Sequence, residues 1–196
     1  MNLEYLTSNK NNKIKGPIVF YPEIFHDARG YFYETWNKEI FNQFISSEIE
    51  FVQDNQSLSN KNVLRGLHFQ LDPRAQCKLV RVVKGRVNDV IVDLRVNSPT
   101  FSEWSNIELS CKRNNQLWIP KGFAHGFLSL TDNTILQYKV NNYWSPKHER
   151  TLKWNDNDLN IKWHNKDFEK FNFIISNKDQ NGFSLNYLIQ SNEIFS

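Results

Sequence analysis

Between residues 63 and 140 the chain is a succession of short segments of four to eight residues, separated by turn signals such as Gly85, Asn97-Ser98-Pro99 and Asp132-Asn133. Many of these segments alternate apolar and polar residues, which is typical of half-buried β-strands. We predict strands over residues 18–21, 31–36, 51–52, 63–70, 78–83, 87–94, 107–110, 116–119, 126–130 and 134–140. Strands this short and this closely spaced favour an all-β sandwich or a barrel of jelly-roll type.

The flanking regions differ from this pattern. The first fifteen residues are polar, and we expect them to be loosely ordered. Residues 38–47 carry apolar side chains at helical spacing and form the best helix candidate. Beyond Ser145-Pro146 the pattern is less regular, and we expect a short helix or two. No internal repeat or linker interrupts the 196 residues, so residues 1–196 are interpreted as one domain.

Composition excludes several function classes. The net charge is +3, from 24 basic and 21 acidic residues spread along the chain, and no basic stripe indicates nucleic-acid or membrane binding. No apolar run reaches the ~20 residues that cross a bilayer. The two cysteines, Cys77 and Cys111, follow no secretory signal, so we expect free thiols and a cytoplasmic protein.

The five histidines do not form a metal-binding pattern. Metal-binding jelly rolls usually carry a His-x-His pair with a nearby carboxylate, whereas here no two histidines are closer than sixteen positions. Neither cysteine has a CxxC partner. We therefore predict no metal, with a metal-dependent cupin oxygenase as the alternative.

Four polar residues in this region have two interpretations each. Alternation places His68 on one face with Gly66 and Arg65 on the other, unless Gly66 introduces a bulge. Without any family information, three of these side chains have a purely structural interpretation. His68 would be a hydrogen-bonded core histidine, Lys78 an exposed lysine and Tyr138 an aromatic residue of the barrel. Spacing alone therefore supports a small-molecule-binding β-barrel and nothing narrower.

One histidine has a more suggestive setting. His125 lies in a stretch with Pro120, Gly122 and Gly126, and such residues mark a turn where backbone closely approaches another group.

Taken together, several motifs resemble the dTDP-4-dehydrorhamnose 3,5-epimerase family. They are VLRGLHFQ at 63–70, KLVRVVKG at 78–85, DLR at 93–95 with SPTF at 98–101, and QLWIPKGFAHGF at 116–127. The resemblance extends from Phe20 to Asp179, in the order that the family has.

The resemblance implies a cupin-like jelly roll that works as a homodimer without metal or other cofactor. It implies a dTDP-linked 4-keto-6-deoxy sugar as substrate, with inversion at C3 and C5 turning dTDP-4-keto-6-deoxy-D-glucose into dTDP-4-keto-L-rhamnose. The product would feed L-rhamnose synthesis for surface polysaccharide.

The catalytic roles also follow from the resemblance. It makes His68 the base and Asp179 the carboxylate that orients it, with Lys78 beside the keto oxygen and Tyr138 as the acid on the opposite face. These residue types suit the chemistry, because a histidine with a reference pKa of about 6.5 is a natural general base. A cation such as Lys78 stabilises the enolate that forms.

The resemblance further implies a nucleotide subsite. It assigns the diphosphate to Arg65, Arg29, Gln53 and Asn55. It assigns the thymine and deoxyribose to Phe25, Phe32 and Glu34, partly from the neighbouring subunit. It places His125 near the sugar. Guanidinium groups suit oxygen anions. As an alternative, Asp27 and Arg29 form only a turn-stabilising ion pair.

The sequence departs from the family pattern at four positions. Cys77 replaces a glycine, Asn88 an aromatic residue, Gln56 a histidine and Trp144 a tyrosine. Asn88 and Trp144 are candidates to reshape the sugar pocket. They leave open whether both centres are inverted and whether the sugar or nucleotide differs. The alternatives are therefore a C3-only epimerase and a ketoisomerase of a related sugar. A catalytically silent sugar-nucleotide-binding cupin is a further hypothesis, against which the intact set of base, lysine, tyrosine and aspartate argues.

Overall fold

A computed structural model describes residues 2–45, 48–164 and 172–195. Within these residues the chain forms fourteen strands and three helices. The strands are β1 (Asn2–Thr7), β2 (Lys13–Tyr21), β3 (Phe25–Asp27), β4 (Gly30–Phe32), β5 (Gln53–Ser59), β6 (Val63–Gln70), β7 (Lys78–Lys84), β8 (Arg86–Asp93), β9 (Trp104–Ser110), β10 (Gln116–Ile119), β11 (Phe123–Ser129), β12 (Thr134–Val140), β13 (Glu149–Thr151) and β14 (Ile174–Ile175). The helices are α1 (Lys38–Ile45), α2 (Asn177–Gln180) and α3 (Leu185–Gln190).

Most strands belong to two sheets that face each other. The first sheet has the order β1-β2-β10-β7-β12-β5, and the second has the order β13-β6-β11-β8-β9, with β14 added parallel to β6. Strands β3 and β4 form a separate hairpin. This is the sandwich of a jelly roll, and the all-β prediction with short helices is confirmed.

An apolar layer fills the space between the sheets. Alternate residues of β7 and β12, such as Val80 and Leu136, point inward and meet Ile91 and Phe127 from the second sheet. Towards β5 and β6 this interior becomes polar, and the candidate site lies there.

Each sheet is also covered on its outer face. On the first sheet, α1 places Phe41 against Phe20 and Trp118, with ring centroids 5.5 and 5.1 Å apart. On the second sheet, the C-terminal segment packs Trp163 and Leu188 on the outward residues of β6, β8 and β11. The segment that carries Asp179 is therefore fastened over β6.

Several predicted boundaries agree with the structure. Strands β6, β10 and β12 span the predicted residues, and β7 and β8 differ from them by single residues at their ends. The predicted helix begins at Lys38 as expected and its described part ends at Ile45, while positions 46 and 47 lie outside the described residues.

Other boundaries were predicted wrongly. The first fifteen residues are not loosely ordered from residue 2 onward, because β1 pairs with β2 and buries Leu6 and Ile14. The polar stretch between these strands is a turn, in which Ser8 donates a 2.6 Å hydrogen bond to buried Glu103. The strand predicted at 51–52 begins instead at Gln53, and the strand predicted over 31–36 ends at Phe32.

Candidate active site

A β-bulge in β6 determines which side chains face the interior. Between β6 and β11, His68 pairs with His125 and Arg65 pairs with Phe127, so two residues of β6 oppose the single residue Gly126. The extra residue reverses the alternation, and Arg65 and His68 therefore face the same side, while Leu67 joins the outer apolar layer. The alternative that Gly66 introduces a bulge is the one that the structure has.

Both glycines at the bulge are required by close packing. A Cβ on Gly66 would lie 2.6 Å from the Cα of Gly126, and a Cβ on Gly126 would lie 2.6 Å from the carbonyl oxygen of Arg65. Gly66 also has a φ of +113°, which residues with a side chain rarely adopt. The two strands can approach this closely only where neither carries a side chain.

His68 forms a short contact with Asp179. Its Nε2 lies 2.5 Å from Oδ1 of Asp179, and the other carboxylate oxygen accepts a 3.4 Å hydrogen bond from the backbone N–H of Gly66. Burial by itself raises the pKa of the Asp179 carboxyl, but the hydrogen bond and charge of His68 and the N–H of Gly66 hold that pKa below its usual value. The carboxylate is thus ionised at neutral pH and can orient the imidazole.

Asp179 reaches His68 because of the short helix α2. Strand β14 pairs Ile175 with Leu64 on β6, and α2 begins two residues later. Ser176, the N-cap residue of α2, accepts a hydrogen bond from the backbone N–H of Asp179. The strand and the turn together place a residue 111 positions away in sequence beside His68.

The imidazole of His68 borders a cavity of about 270 Å³ between the two sheets. Residues of β5, β6, β7, β12 and β13 and of the loops before β7 and β13 line it: Gln53, Asn55, His68, Phe69, Gln70, Gln76, Lys78, Tyr138, Trp144 and Glu149. The structure therefore brings five of the predicted site residues other than Asp179 to one cavity.

Lys78 is a buried cation in the cavity wall. It is 8% exposed, and its Nζ donates a 3.3 Å hydrogen bond to the carbonyl oxygen of His68. Burial lowers the pKa of the Lys78 amine to about 8, while the negative charges of Asp89 and Glu149 act in the opposite direction. The amine remains mostly protonated at neutral pH and offers hydrogen-bond donors at the cavity wall.

Tyr138 faces the same cavity from the other sheet. Burial raises the pKa of its phenol, and the charge of Glu149 raises it further. The hydroxyl is consequently a proton donor at neutral pH. His68 belongs to the second sheet and Tyr138 to the first, so the two groups approach the cavity from different sides.

Sequence reasoning missed two carboxylates. Glu149 lines the cavity and forms a 2.7 Å ion pair with Lys178. Asp89 is fully buried, and both of its oxygens lie 3.0 Å from Nε2 of His125. Burial lowers the pKa of His125 and the charge of Asp89 opposes this effect. Each carboxylate lies in an otherwise unremarkable strand, and no signal in the single sequence marks either one.

The predicted diphosphate residues of β5 and β6 lie close to this site. Gln53 and Asn55 line the cavity and share a 2.7 Å hydrogen bond. Arg65 donates from Nε to the hydroxyl of Ser59 at 3.0 Å and from Nη2 to the carbonyl oxygen of Leu58 at 3.1 Å. Arg65 is exposed and outside the described cavity lining, its guanidinium lies against the end of β5, and its charge acts to lower the pKa of Tyr138.

The remaining predicted nucleotide residues lie elsewhere on the chain. Phe25 and Phe32 face each other across the β3–β4 hairpin and are 56% and 67% exposed. Arg29, at the tip of this hairpin, pairs with Asp27 at 2.5 Å, the geometry of the turn-stabilising alternative. Glu34 follows the hairpin and accepts a hydrogen bond from Asn37. The described lining of the cavity includes none of these four predicted residues.

The departures from the family pattern have different surroundings. Trp144 lines the cavity, and its backbone N–H donates a 3.3 Å hydrogen bond to Oε1 of Gln53. Asn88 was wrongly assigned to the sugar pocket, because it lies on the outer face of its sheet and donates a 2.7 Å hydrogen bond to the carbonyl oxygen of Trp163. Cys77 is buried beneath α1, and burial raises the pKa of its thiol. Gln56 lies exposed on the outer face of β5.

The donor set is suited to proton transfer. In the described parts of the chain, no three His, Cys, Asp or Glu side chains converge as metal ligands do. No helix in the same residues is long and apolar enough to cross a membrane.

The cavity combines a histidine oriented by a carboxylate, a buried cation and a protonated phenol, which is the set of groups that proton abstraction next to a carbonyl requires.

Comparison with known proteins gives a consistent result. The sequence model of the dTDP-4-dehydrorhamnose 3,5-epimerase family matches residues 11–186. The dTDP-4-dehydrorhamnose 3,5-epimerase of Shigella flexneri is 48% identical over 170 residues, which cover 87% of this chain and 91% of that protein.

Solved structures agree in fold. The dTDP-6-deoxy-D-glucose-3,5-epimerase of Legionella pneumophila, in complex with dTDP-4-keto-L-rhamnose, has a TM-score of 0.87 at 36% identity, over 99% of this chain and 98% of that chain. An epimerase of Mycobacterium tuberculosis has a TM-score of 0.91 at 31% identity, over 100% and 94%. The predicted cupin-like jelly roll is thereby confirmed.

Proposed function

The chain belongs to the dTDP-4-dehydrorhamnose 3,5-epimerase family, and we propose that its cavity inverts C3 and C5 of dTDP-4-keto-6-deoxy-D-glucose to give dTDP-4-keto-L-rhamnose. The observation that carries the assignment of roles is the contact between His68 and Asp179 at the edge of a cavity that also holds Lys78 and Tyr138.

His68 acts as the base. A proton on the carbon next to the ketone moves to the imidazole, and the electron pair of the broken C–H bond forms an enolate. The ionised Asp179 selects the tautomer of His68 that can accept this proton and stabilises the imidazolium that results.

Lys78 stabilises the enolate. Its ammonium group lies in the cavity wall next to the backbone of His68, where negative charge develops on the ketone oxygen. A positioned donor of this kind in a water-poor site typically contributes about 3–4 kcal/mol.

Tyr138 returns a proton from the opposite side. Because its phenol is protonated and lies on the other sheet, donation to the enolate carbon from there inverts the centre. After each inversion His68 releases its proton to solvent and the Tyr138 phenolate takes one up, which restores both groups. One cycle at C3 and one at C5 then give the double epimerisation, and no electrons are gained or lost overall.

The nucleotide is bound by Arg65, Gln53 and Asn55 at the β5 side of the cavity, and His125 lies in the vicinity of the sugar. Arg29, Phe25, Phe32 and Glu34 serve the site of a second subunit in a homodimer. The exposure of both phenylalanines and the position of the hairpin outside the cavity lining of its own chain support this assignment.

The proposed role belongs to dTDP-L-rhamnose synthesis, for surface polysaccharide, in the cytoplasm. The two cysteines are free thiols in the structure, as a reducing compartment would keep them.

The test is an isotope-exchange experiment. Purified protein is incubated with dTDP-4-keto-6-deoxyglucose in heavy water, and deuterium in the sugar is counted by mass spectrometry and located by NMR. Deuterium at both C3 and C5 supports the proposal, and deuterium at C3 alone would reduce it to a C3-only epimerase. No deuterium would contradict the activity.

A pair of variants tests the base. His68→Asn should abolish exchange, while His164→Asn, in the C-terminal segment and outside the cavity lining, should leave it unchanged. Undiminished exchange in His68→Asn would remove His68 from its role.

A further inference from the structure

The helix α2 is a single turn whose position depends on the residue that connects it to β14. Strand β14 ends at Ile175, where it is paired to β6, and α2 begins at Asn177. Ser176 is the only residue between them. It has extended backbone angles, with φ −66° and ψ 155°, and its hydroxyl accepts a 3.2 Å hydrogen bond from the backbone N–H of Asp179.

We propose that Ser176 is a positioning residue of the proton-transfer site, which by capping α2 holds Asp179 against His68. This inference rests on the proposed function of the cavity. Ser176 itself is exposed and absent from the described cavity lining, so it acts through Asp179.

The side chain of Asp179 is used unusually for its place in the helix. In a capping box, the residue three positions after the cap serine turns its side chain back to the backbone N–H of that serine. Asp179 occupies this place, yet its oxygens contact His68 at 2.5 Å and the N–H of Gly66 at 3.4 Å. The hydroxyl of Ser176 therefore fixes the backbone of the turn, and the carboxylate of Asp179 remains available to contact His68.

The turn has little stability of its own. A four-residue helix lies below the length at which helix formation in water repays its nucleation cost. Besides the cap, the described interactions that hold it include the 2.7 Å ion pair of Lys178 with Glu149 and the pairing of β14 with β6. Removal of the Ser176 hydroxyl therefore lowers the population in which Asp179 is docked.

The chain offers a matched control in Ser184. This serine caps α3 with nearly the same backbone angles, φ −67° and ψ 156°, and accepts a 3.2 Å hydrogen bond from the N–H of Tyr187. It is also exposed, and α3 contributes no side chain to the described cavity lining. Replacing either serine by alanine removes the same kind of cap and leaves no internal void.

The experiment compares Ser176→Ala, Ser184→Ala and Ser176→Thr with the wild type. For each protein we would measure the melting temperature, kcat and KM for dTDP-4-keto-6-deoxyglucose, and the rate of deuterium uptake in heavy water. Both alanine variants should melt at similarly reduced temperatures. Only Ser176→Ala should lose kcat and exchange rate, by up to about five- to tenfold with KM little changed, because loss of one cap lowers the docking equilibrium constant by about that factor. Ser176→Thr keeps a capping hydroxyl and should restore the rate.

The outcomes separate the two proposals. Exchange in the wild type with equal kcat in the two alanine variants would overturn the positioning role alone, as would a change confined to KM. Absence of exchange in the wild type would overturn the proposed function and this inference with it.

Discussion

The proposed role of Lys78 predicts an alkaline limit of the activity well below the one that an ordinary lysine would set. The pKa of its amine is lowered to about 8 by burial, whereas an unperturbed lysine titrates near about 10.4. With the lower value, the protonated fraction is about 90% at pH 7, about half at pH 8 and about 10% at pH 9. Since only the ammonium form stabilises the enolate, kcat/KM should fall about tenfold per pH unit above pH 8.

Two substitutions should move this limit in opposite directions. Glu149 raises the pKa of Lys78 and Lys178 lowers it. Glu149→Gln should therefore shift the alkaline limb of kcat/KM to lower pH, and Lys178→Gln should shift it to higher pH. The two side chains form one ion pair, so both variants break the same contact and differ only in the charge that remains.

The assay is the initial rate of epimerisation at low substrate concentration from pH 6 to pH 10, because kcat/KM reports the ionisation of free enzyme. Melting curves at each pH confirm that the protein stays folded over the range. A wild-type limb near pH 10, or a shift of both variants in the same direction, would refute the assignment of this limb to Lys78.

Three further substitutions test other parts of the site. Tyr138→Phe should lower the rate of inversion by about 10²–10⁴-fold. Because His68 can still exchange protons on its own side of the sugar, NMR should show deuterium uptake without inversion. Loss of both deuterium uptake and inversion would argue against the assignment of His68 and Tyr138 to opposite faces of the sugar. Asp179→Asn should reduce kcat by as much as about 10⁴-fold, as the corresponding change does in serine proteases, with KM little altered; a change in KM alone would contradict the orienting role. Gly126→Ala places a Cβ 2.6 Å from the carbonyl oxygen of Arg65, which should cost about 1–3 kcal/mol and lower the melting temperature by roughly 2–12 °C; an unchanged melting curve would mean that β6 and β11 can separate freely.

The sequence predicted the strands well where one face is apolar. Strand β12 was located to the residue because its apolar side chains recur at the spacing of a buried face. Strand β6 was located equally well although the bulge at Gly66 interrupts its alternation, because it is bounded by turns and rich in apolar residues. Strand β5 was located only as residues 51–52, since Gln53 to Ser59 carries polar side chains on both faces. Its inward residues Gln53 and Asn55 line a polar cavity, so the hydrophobic alternation that marks a strand is absent where the site lies.

The candidate site was predicted in its members but not in its geometry. Parity placed Arg65 and His68 on opposite faces, and only the extra residue opposite Gly126 brings them to the same face. Asn88 was expected at the sugar pocket only because the family has an aromatic residue at this position. That comparison does not say which face of the sheet the amide occupies, and it lies on the outer face. The contact of His68 with Asp179 depends on chain path over 111 positions, which spacing in a single sequence does not encode.

The path of the C-terminal segment also sets the order in which the enzyme becomes competent during synthesis. Chains are made from the N-terminus, and folding begins before synthesis ends. The strands that carry His68, Lys78 and Tyr138 all leave the ribosome before β14 and α2. Lys78 and Tyr138 are thus synthesised while His68 still lacks its carboxylate partner, and the outer face of β6 gains its full cover only when Leu185 and Leu188 follow. The partner of His68 is thus supplied by β14 and α2, and among the described elements only α3, which helps to cover the outer face of β6, follows them in the chain.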